Sequence, residues 1–401
     1  MKNYKKYNLV NDLGFIKTGI KEYVGVKKYY STGSIKKNDF VSEGKYDFNS
    51  RPLRANREVQ KNDVLQARMF DTDKSILIDD NLNNCLVSTG FFQFRPPKET
   101  IIPKLLYYIL SSKMFLNKKN SLCTGSTQKA INDESLKRIN IILPTISEQQ
   151  NIVKKLDKIF DNIKKNILLT KNKINELDLL FDSFLLHSFN STDKNWKKVQ
   201  LKDLCLNYKN DIVDGPFGSN LKSEHFIKEG VIVLKIQNIK KFLINSKKLS
   251  YVSYEKFIDL KRHTFKVGDI IMTKLGAPLG VSAIVENINE GVIVADLVRI
   301  RAKKINTEFL CFQLNSKLIS SYINSMQKGA TRPRIKLSVV RELPIKTTNN
   351  EKQIIIVKRL KKILLEIDNL KNIYLKKNIN LELLKNSLIN NYLSNEMINS
   401  T

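Results

Sequence analysis

Residues 147–189 read SEQQNIVKKLDKIFDNIKKNILLTKNKINELDLLFDSFLLHSF. Within them Ile152, Leu156, Ile159, Ile163, Ile167, Thr170, Ile174, Leu177, Phe181 and Phe184 recur every three or four positions, which predicts one apolar stripe along a long helix. Ser147 and Gln150 have capping-box spacing, so the helix is expected to start there. At about 1.5 Å per residue it would run roughly 60 Å, too long for one small core to cover and long enough to hold two domains apart. Such a helix needs a partner.

Self-comparison supplies one. Leu110, Ser112, Lys113, Gly125, Thr127 and Ile131 match Leu314, Ser316, Lys317, Gly329, Thr331 and Ile335 at a constant offset of 204. The same offset carries Gln149, Val153, Leu156, Ile159, Ile163, Leu177, Leu180 and Ser183 onto Gln353, Val357, Leu360, Ile363, Ile367, Leu381, Leu384 and Ser387. Upstream, only islands persist. Asp63-Val-Leu65 answers Asp269-Ile-Ile271, and Phe40-Val-Ser answers Tyr251-Val-Ser, with drifting offsets as expected where loops change length.

The second helix spans about Asn350–Leu393, its stripe Ile356, Leu360, Ile363, Ile367, Leu370, Tyr374, Leu381, Leu384 and Leu388. Pairing the two stripes antiparallel buries both and relates the halves by an approximate two-fold axis. Asn166, Thr170 and Lys377 interrupt the seams; they either fix register or face solvent. The expected fold class is α+β: two globular domains of mixed helix and twisted sheet, separated by two long antiparallel coiled-coil helices. The expected boundaries are 1–146 for the first domain, 147–189 for its helix, 190–346 for the second domain, 347–395 for the second helix and 396–401 for a tail. Short β-rich runs at Asp63–Ala67 and Cys85–Phe94 and a helix over Pro103–Phe115 are expected in the first domain.

Composition narrows the function. The chain has 401 residues, 42% of them apolar and 27% charged, enough for cores in two or three domains. Its net charge of +30 favours a polyanionic partner, with biased coding toward Lys and Asn as the other reading. Cys85, Cys123, Cys205 and Cys311 lie far apart, suggesting neither disulfides nor a zinc site. The N-terminus lacks a signal-peptide core and no apolar run is long enough to cross a bilayer, so a cytoplasmic location and no membrane partner are expected.

Two unlike basic domains at a fixed spacing suit a split target on duplex DNA. The repeated loops Gly125–Ile131, with Gln128 and Lys129, and Gly329–Ile335, with Arg332 and Arg334, combine a glycine with base-reading side chains. Lys336 follows the second loop, and the glycine-punctuated stretch 215–222 contributes Ser219, Asn220 and Lys222. Lys27, Lys28, Tyr29, Arg51, Arg54, Arg57, Arg68 and Lys274 complete the candidate DNA contacts; for each, an ordinary solvated or turn residue is the competing reading. No catalytic residue and no metal ligand is identified, since His187, His225 and His263 lack partners and no hydrolase, zinc or nucleotide motif occurs.

The domain–helix–domain–helix order, the Leu143-Pro-x-x-Ser-Glu-Gln149 lead, the Gly268-Asp-Ile-Ile271 island and the Gly215-Pro-Phe-Gly-Ser219 loop resemble the specificity subunit of type I restriction-modification systems. The second lead, Thr347-Thr-Asn-Asn-Glu-Lys-Gln353, departs from the Pro-rich pattern. The resemblance implies two target recognition domains reading a bipartite, asymmetric double-stranded DNA sequence. It also implies docking of two modification subunits, which supply S-adenosylmethionine and adenine methylation, and of restriction subunits, which use ATP and Mg. The chain itself would bind no cofactor and catalyse nothing. A stand-alone methyltransferase or nuclease, and a coiled-coil adaptor with incidental charge, are the alternatives. Lys154 and Lys155, with Lys358 and Arg359, are docking candidates or plain solubilising charge.

Overall fold

The computed structural model describes all residues except 1–3, 37–38, 127, 191–193, 328–332, 393–397 and 401, and the side chains of 36, 39, 219 and 398–400. The chain forms two compact units, residues 1–171 with 375–401 and residues 172–374.

The first unit contains strands β1 (Lys5–Asn8), β2 (Phe15–Ile16), β3 (Lys27–Tyr30), β4 (Lys45–Tyr46), β5 (Ala55–Glu58), β6 (Val64–Ala67), β7 (Ser75–Leu77), β8 (Leu86–Ser88), β9 (Phe91–Phe94) and β10 (Ile139–Leu143). They pair as β2-β9-β6-β7, β4-β3-β8-β5 and β1-β10. Every residue of β6 and β9 is buried, which explains their unalternating apolar runs. The run Cys85–Phe94 is two strands in two sheets, broken at Thr89-Gly90. Likewise the expected helix over Pro103–Phe115 is two, α1 (Pro103–Ser111) and α2 (Lys113–Ser121), because Ser112 turns away and its hydroxyl accepts the Phe115 amide at 3.1 Å.

After the long helix α3 (Ile146–Phe189), the second unit repeats the set. Its strands are β11 (Lys197–Gln200), β12 (Ile212–Asp214), β13 (Val231–Leu234), β14 (Ser250–Val252), β15 (Thr264–Lys266), β16 (Ile270–Thr273), β17 (Ser282–Ile284), β18 (Glu290–Ile293), β19 (Leu297–Ile300) and β20 (Pro344–Thr347). They pair as β12-β19-β16-β17, β14-β13-β18-β15 and β11-β20, the first unit's order, except that in the first unit Ile398–Ser400 adds a third strand antiparallel to β10. In both units one pair is parallel, β3 with β8 and β13 with β18. Helices α4 (Thr307–Leu314), α5 (Lys317–Met326) and α6 (Asn350–Tyr392) follow. Among the described residues no helix is long and apolar enough to cross a membrane.

The repeat extends to buried polar contacts. Asp63 is fully buried and takes two bonds from Arg95, at 2.8 and 2.9 Å; Asp269 takes the same two from Arg301, both 2.7 Å. Each fork neutralises a carboxylate that also caps a turn, accepting the Gln60 or the Lys266 amide. Gln149 Oε1 accepts the Ile102 amide and its Nε2 donates to Pro144 O; Gln353 does the same for Asn306 and Thr348. Lys104 pairs with Asp157 at 2.7 Å, and at the offset of 204 Glu308 pairs with Lys361 at 2.7 Å, the signs exchanged.

Helix α3 starts one residue earlier than expected. Its capping box is Thr145 with Glu148, whose carboxylate accepts the Thr145 amide at 3.3 Å, rather than Ser147 with Gln150. The seam is antiparallel within each unit. In the first, Thr170 bonds Asn378 and Lys385 Nζ lies 5.6 Å over the Phe160 ring; in the second, Lys371 pairs with Asp178. Ile152, Leu156, Ile159, Ile163, Ile174, Leu177, Phe184, Ile356, Leu360, Ile363, Ile367, Leu381 and Leu388 are buried or half-buried on these helices. Leu384 is not in the seam: it is 47% exposed, as Leu370 is 43% exposed, and the inward positions belong to Lys371 and Lys385. The polar interruptions of α6 are Lys371, Asn378 and Lys385, while Lys377 and Asn166 face solvent.

Candidate nucleic-acid interface

In each unit two loops are stitched side by side. In the first, the segment leaving β6 meets the loop at 128–131: Phe70 N donates to Lys129 O at 2.9 Å, Ile131 N to Arg68 O at 3.0 Å, and Met69 bridges Ala130. In the second, the segment leaving β16 meets 333–335: Gly276 N donates to Pro333 O at 2.9 Å, Ile335 N to Lys274 O at 3.0 Å, and Leu275 bridges Arg334. A third turn closes each platform, where Arg68 N donates to Gly90 O and Lys274 N to Asp296 O, both at 2.9 Å. The backbone frame is thus duplicated, while the side chains upon it differ.

Glycines permit the close approaches. A Cβ on Gly125, which has φ +119°, would come 2.6 Å from Gln128 O, and one on Gly215 would come 2.1 Å from the Val294 carbonyl carbon. Gly215 therefore lets the 215–222 stretch lie on the β18–β19 turn beside Lys274. Lys274 Nζ pairs with Asp214 at 2.5 Å and sits 4.8 Å from the Phe217 ring centre. Arg68 holds the matching place, pairing with Asp133 at 2.6 Å and donating from Nε to Phe91 O at 3.2 Å. These two cations are mostly covered and brace the loops.

The exposed candidates are Gln128 and Lys129 on one platform and Arg334, Lys336, Asn220 and Lys222 on or beside the other. Lys222 pairs with Glu224 at 3.5 Å. Arg332 and the Ser219 side chain lie outside the described residues. Met69 and Phe70, 45% and 46% exposed, are additions that sequence reasoning misses; Lys129 Nζ lies 5.8 Å from the Phe70 ring. Their signal is position, apolar residues continuing past Arg68 where the strand's buried run has ended. Phe217, 63% exposed beside Lys274, plays the same part in the second unit.

In the first unit Lys28 and Arg54 are exposed, and Thr89 N donates to Arg54 O at 2.9 Å, placing that residue on the turn that ends at Gly90. Lys27 pairs with Glu58 and lies 4.7 Å from the Tyr23 ring; Arg51 lies 3.9 Å over Phe48, and the two rings meet edge to face. Two expected contacts are corrected. Arg57 is 1% exposed, donating to Ile16 O and Thr18 Oγ1, both at 2.7 Å, and burial lowers its pKa to about 10. Tyr29 is 4% exposed within a small cluster with Ala55 and Leu86. Both are buried in the sheet and are not exposed for contact with DNA.

A family profile described as "Type I restriction modification DNA specificity domain" matches residues 14–179. The MjaVIII specificity subunit of Methanocaldococcus jannaschii is 26% identical over 303 residues, spanning 71% of this chain and 68% of that one. The HindI specificity subunit of Haemophilus influenzae is 22% identical over 194 residues, 46% of this chain and 41% of its own. A chain solved in work on complex assembly and conformational transition of the type I R-M system superposes with TM-score 0.72 over 98% of both chains at 17% identity. Residues 14–179 thus match the type I restriction-modification DNA specificity domain, and the chain is similar to type I restriction-modification specificity subunits. The HsdS subunit from Thermoanaerobacter tengcongensis shares this specificity-subunit fold at TM-score 0.54 and 18% identity, covering 98% of this chain and 97% of that one. The profile ends within α3; for the second unit the internal repeat and these whole-chain superpositions show the same fold.

Proposed function

We propose that the chain is the DNA sequence-recognition subunit of a type I restriction-modification complex, each unit reading one half of a bipartite, asymmetric duplex target. The observation that carries this reading is the duplicated loop platform. One backbone frame presents Met69, Phe70, Gln128 and Lys129 in one unit and Leu275, Arg334 and the Phe217 loop in the other. An equal frame with unequal side chains is what two unlike half-sites require. The helical seam serves as spacer and as docking surface for two modification subunits, which supply S-adenosylmethionine and the methyl transfer. Restriction subunits supply ATP-driven translocation and cleavage, and this chain performs no bond chemistry. It acts in the cytoplasm.

Selection from a random duplex library by the chain assembled with its modification subunits should return a split consensus with an unread spacer. An unsplit consensus, or none, would overturn the reading. Arg334→Ala should relax one half-site by about 1–3 kcal/mol and leave the other intact; a uniform loss across sequences would make Arg334 a phosphate contact.

A further inference from the structure

Lys119, in the last turn of α2, is fully buried, an unusual place for an ammonium. Its Nζ donates to three backbone carbonyls, Ala67 O at 3.2 Å, Met69 O at 2.9 Å and Thr72 O at 2.7 Å. All three belong to the segment that leaves β6 and forms half of the first platform. The neighbouring Asn120 Oδ1 accepts the Asp71 amide at 3.1 Å, so one helix end holds both limbs of that loop. The charged groups around Lys119 are Asp71 and Asp73 on the loop, and the Cys123 thiol on its own turn, which donates to Lys119 O at 3.3 Å. No carboxylate is among its bonded partners in the described set, so the ammonium's bonds are spent on backbone.

The second unit solves the same position differently. At the offset of 204 the residue is Ile323, buried with its side chain against Gly280, where a Cβ would come within 2.5 Å. The loop leaving β16 is therefore held by apolar packing and the loop leaving β6 by an ammonium. We propose that Lys119 is the positioning residue of the first unit's readout, its three donors fixing the loop that presents Met69 and Phe70. It touches no base itself. This inference rests on the reading of the platforms as half-site readers.

Geometry also makes the hold sensitive to protonation. Burial lowers the Lys119 pKa from 10.5 to about 8. The protonated group has a donor for each of the three carbonyls, and the neutral amine has one too few.

The test uses the full chain assembled with its modification subunits. Library selection with Lys119→Met should return a consensus in which one half loses discrimination by about tenfold or more while the other half is unchanged. A consensus unchanged in both halves, or degraded equally in both, would overturn the assignment. If the unmodified chain returns no split consensus, it is the proposed function that fails. A second measurement does not depend on Lys119→Met folding. With Lys119 in place, a Phe70→Trp reporter on the isolated chain should change emission with a midpoint near pH 8. A flat signal to pH 10 would show that the lysine does not set the loop.

Discussion

At the scale of single residues, the two buried glutamines show how a domain is fastened to its long helix. Gln149 and Gln353 each satisfy one amide and at least one carbonyl that the chain buries where it enters α1 or α4 and leaves β10 or β20. A side-chain amide fits because it donates and accepts at once. Gln353→Leu keeps the volume and strips both functions, leaving the Asn306 amide and Thr348 carbonyl unpaired. The expected cost is about 1–3 kcal/mol, read as a lower urea midpoint at unchanged slope. An unchanged midpoint would mean that water replaces the amide.

The same scale shows what sequence could reveal. Gln149 and Gln353 announce themselves through the repeat, yet their task depends on backbone groups 47 residues upstream. Arg57 reads as a surface cation because charge is normally solvated, and only the fold reveals that its guanidinium ties β5 to the end of β2 and to Thr18 just after it. Lys119 is hidden for the same reason. A lysine in a polar helix end carries no mark of burial until the loop it holds is known.

At the scale of elements, the stripe of α3 was almost wholly legible and that of α6 less so. The seam of α6 runs Ile367, Lys371, Tyr374, Asn378, Leu381, Lys385 and Leu388, alternating apolar residues with polar ones at heptad spacing. A reading that follows apolar character slides to the exposed Leu370 and Leu384, one position off. The polar members are not gaps, for Lys371 reaches Asp178, Asn378 reaches Thr170 and Lys385 lies over Phe160. Thr170 is 4% exposed, so Thr170→Val should strand the Asn378 amide at a cost of about 1–3 kcal/mol. Adding Asn378→Leu should recover that loss or exceed it, because an apolar pair removes the unmet group with its partner. Denaturant melts of both single variants and the double variant close the cycle; strictly additive losses would show that the two side chains do not act together.

At the scale of the whole molecule, the duplicated frame carries a possible confusion, since either domain could meet either helix start. The exchanged ion pairs discriminate between them. Lys104 with Asp157 and Glu308 with Lys361 attract as they stand, whereas crossed partners would set Lys104 on Lys361 and Glu308 on Asp157. Each exposed pair is worth little alone, but the discrimination counts the repulsions as well. On the proposed reading, the number of helical residues sets the distance between half-sites. Thr170 opposite Asn378 places Leu169–Asn175 against Ile373–Ile379, stretches also equivalent at the offset of 204. Deleting both removes a heptad from each strand of the seam, keeps its apolar face, and shortens it by about 10 Å. At roughly 3.4 Å per base pair this should shorten the unread spacer by about three base pairs, with both half-site sequences retained. Library selection with the deleted chain reads the outcome directly. A spacer of unchanged length would mean that the helices dock partners without measuring DNA.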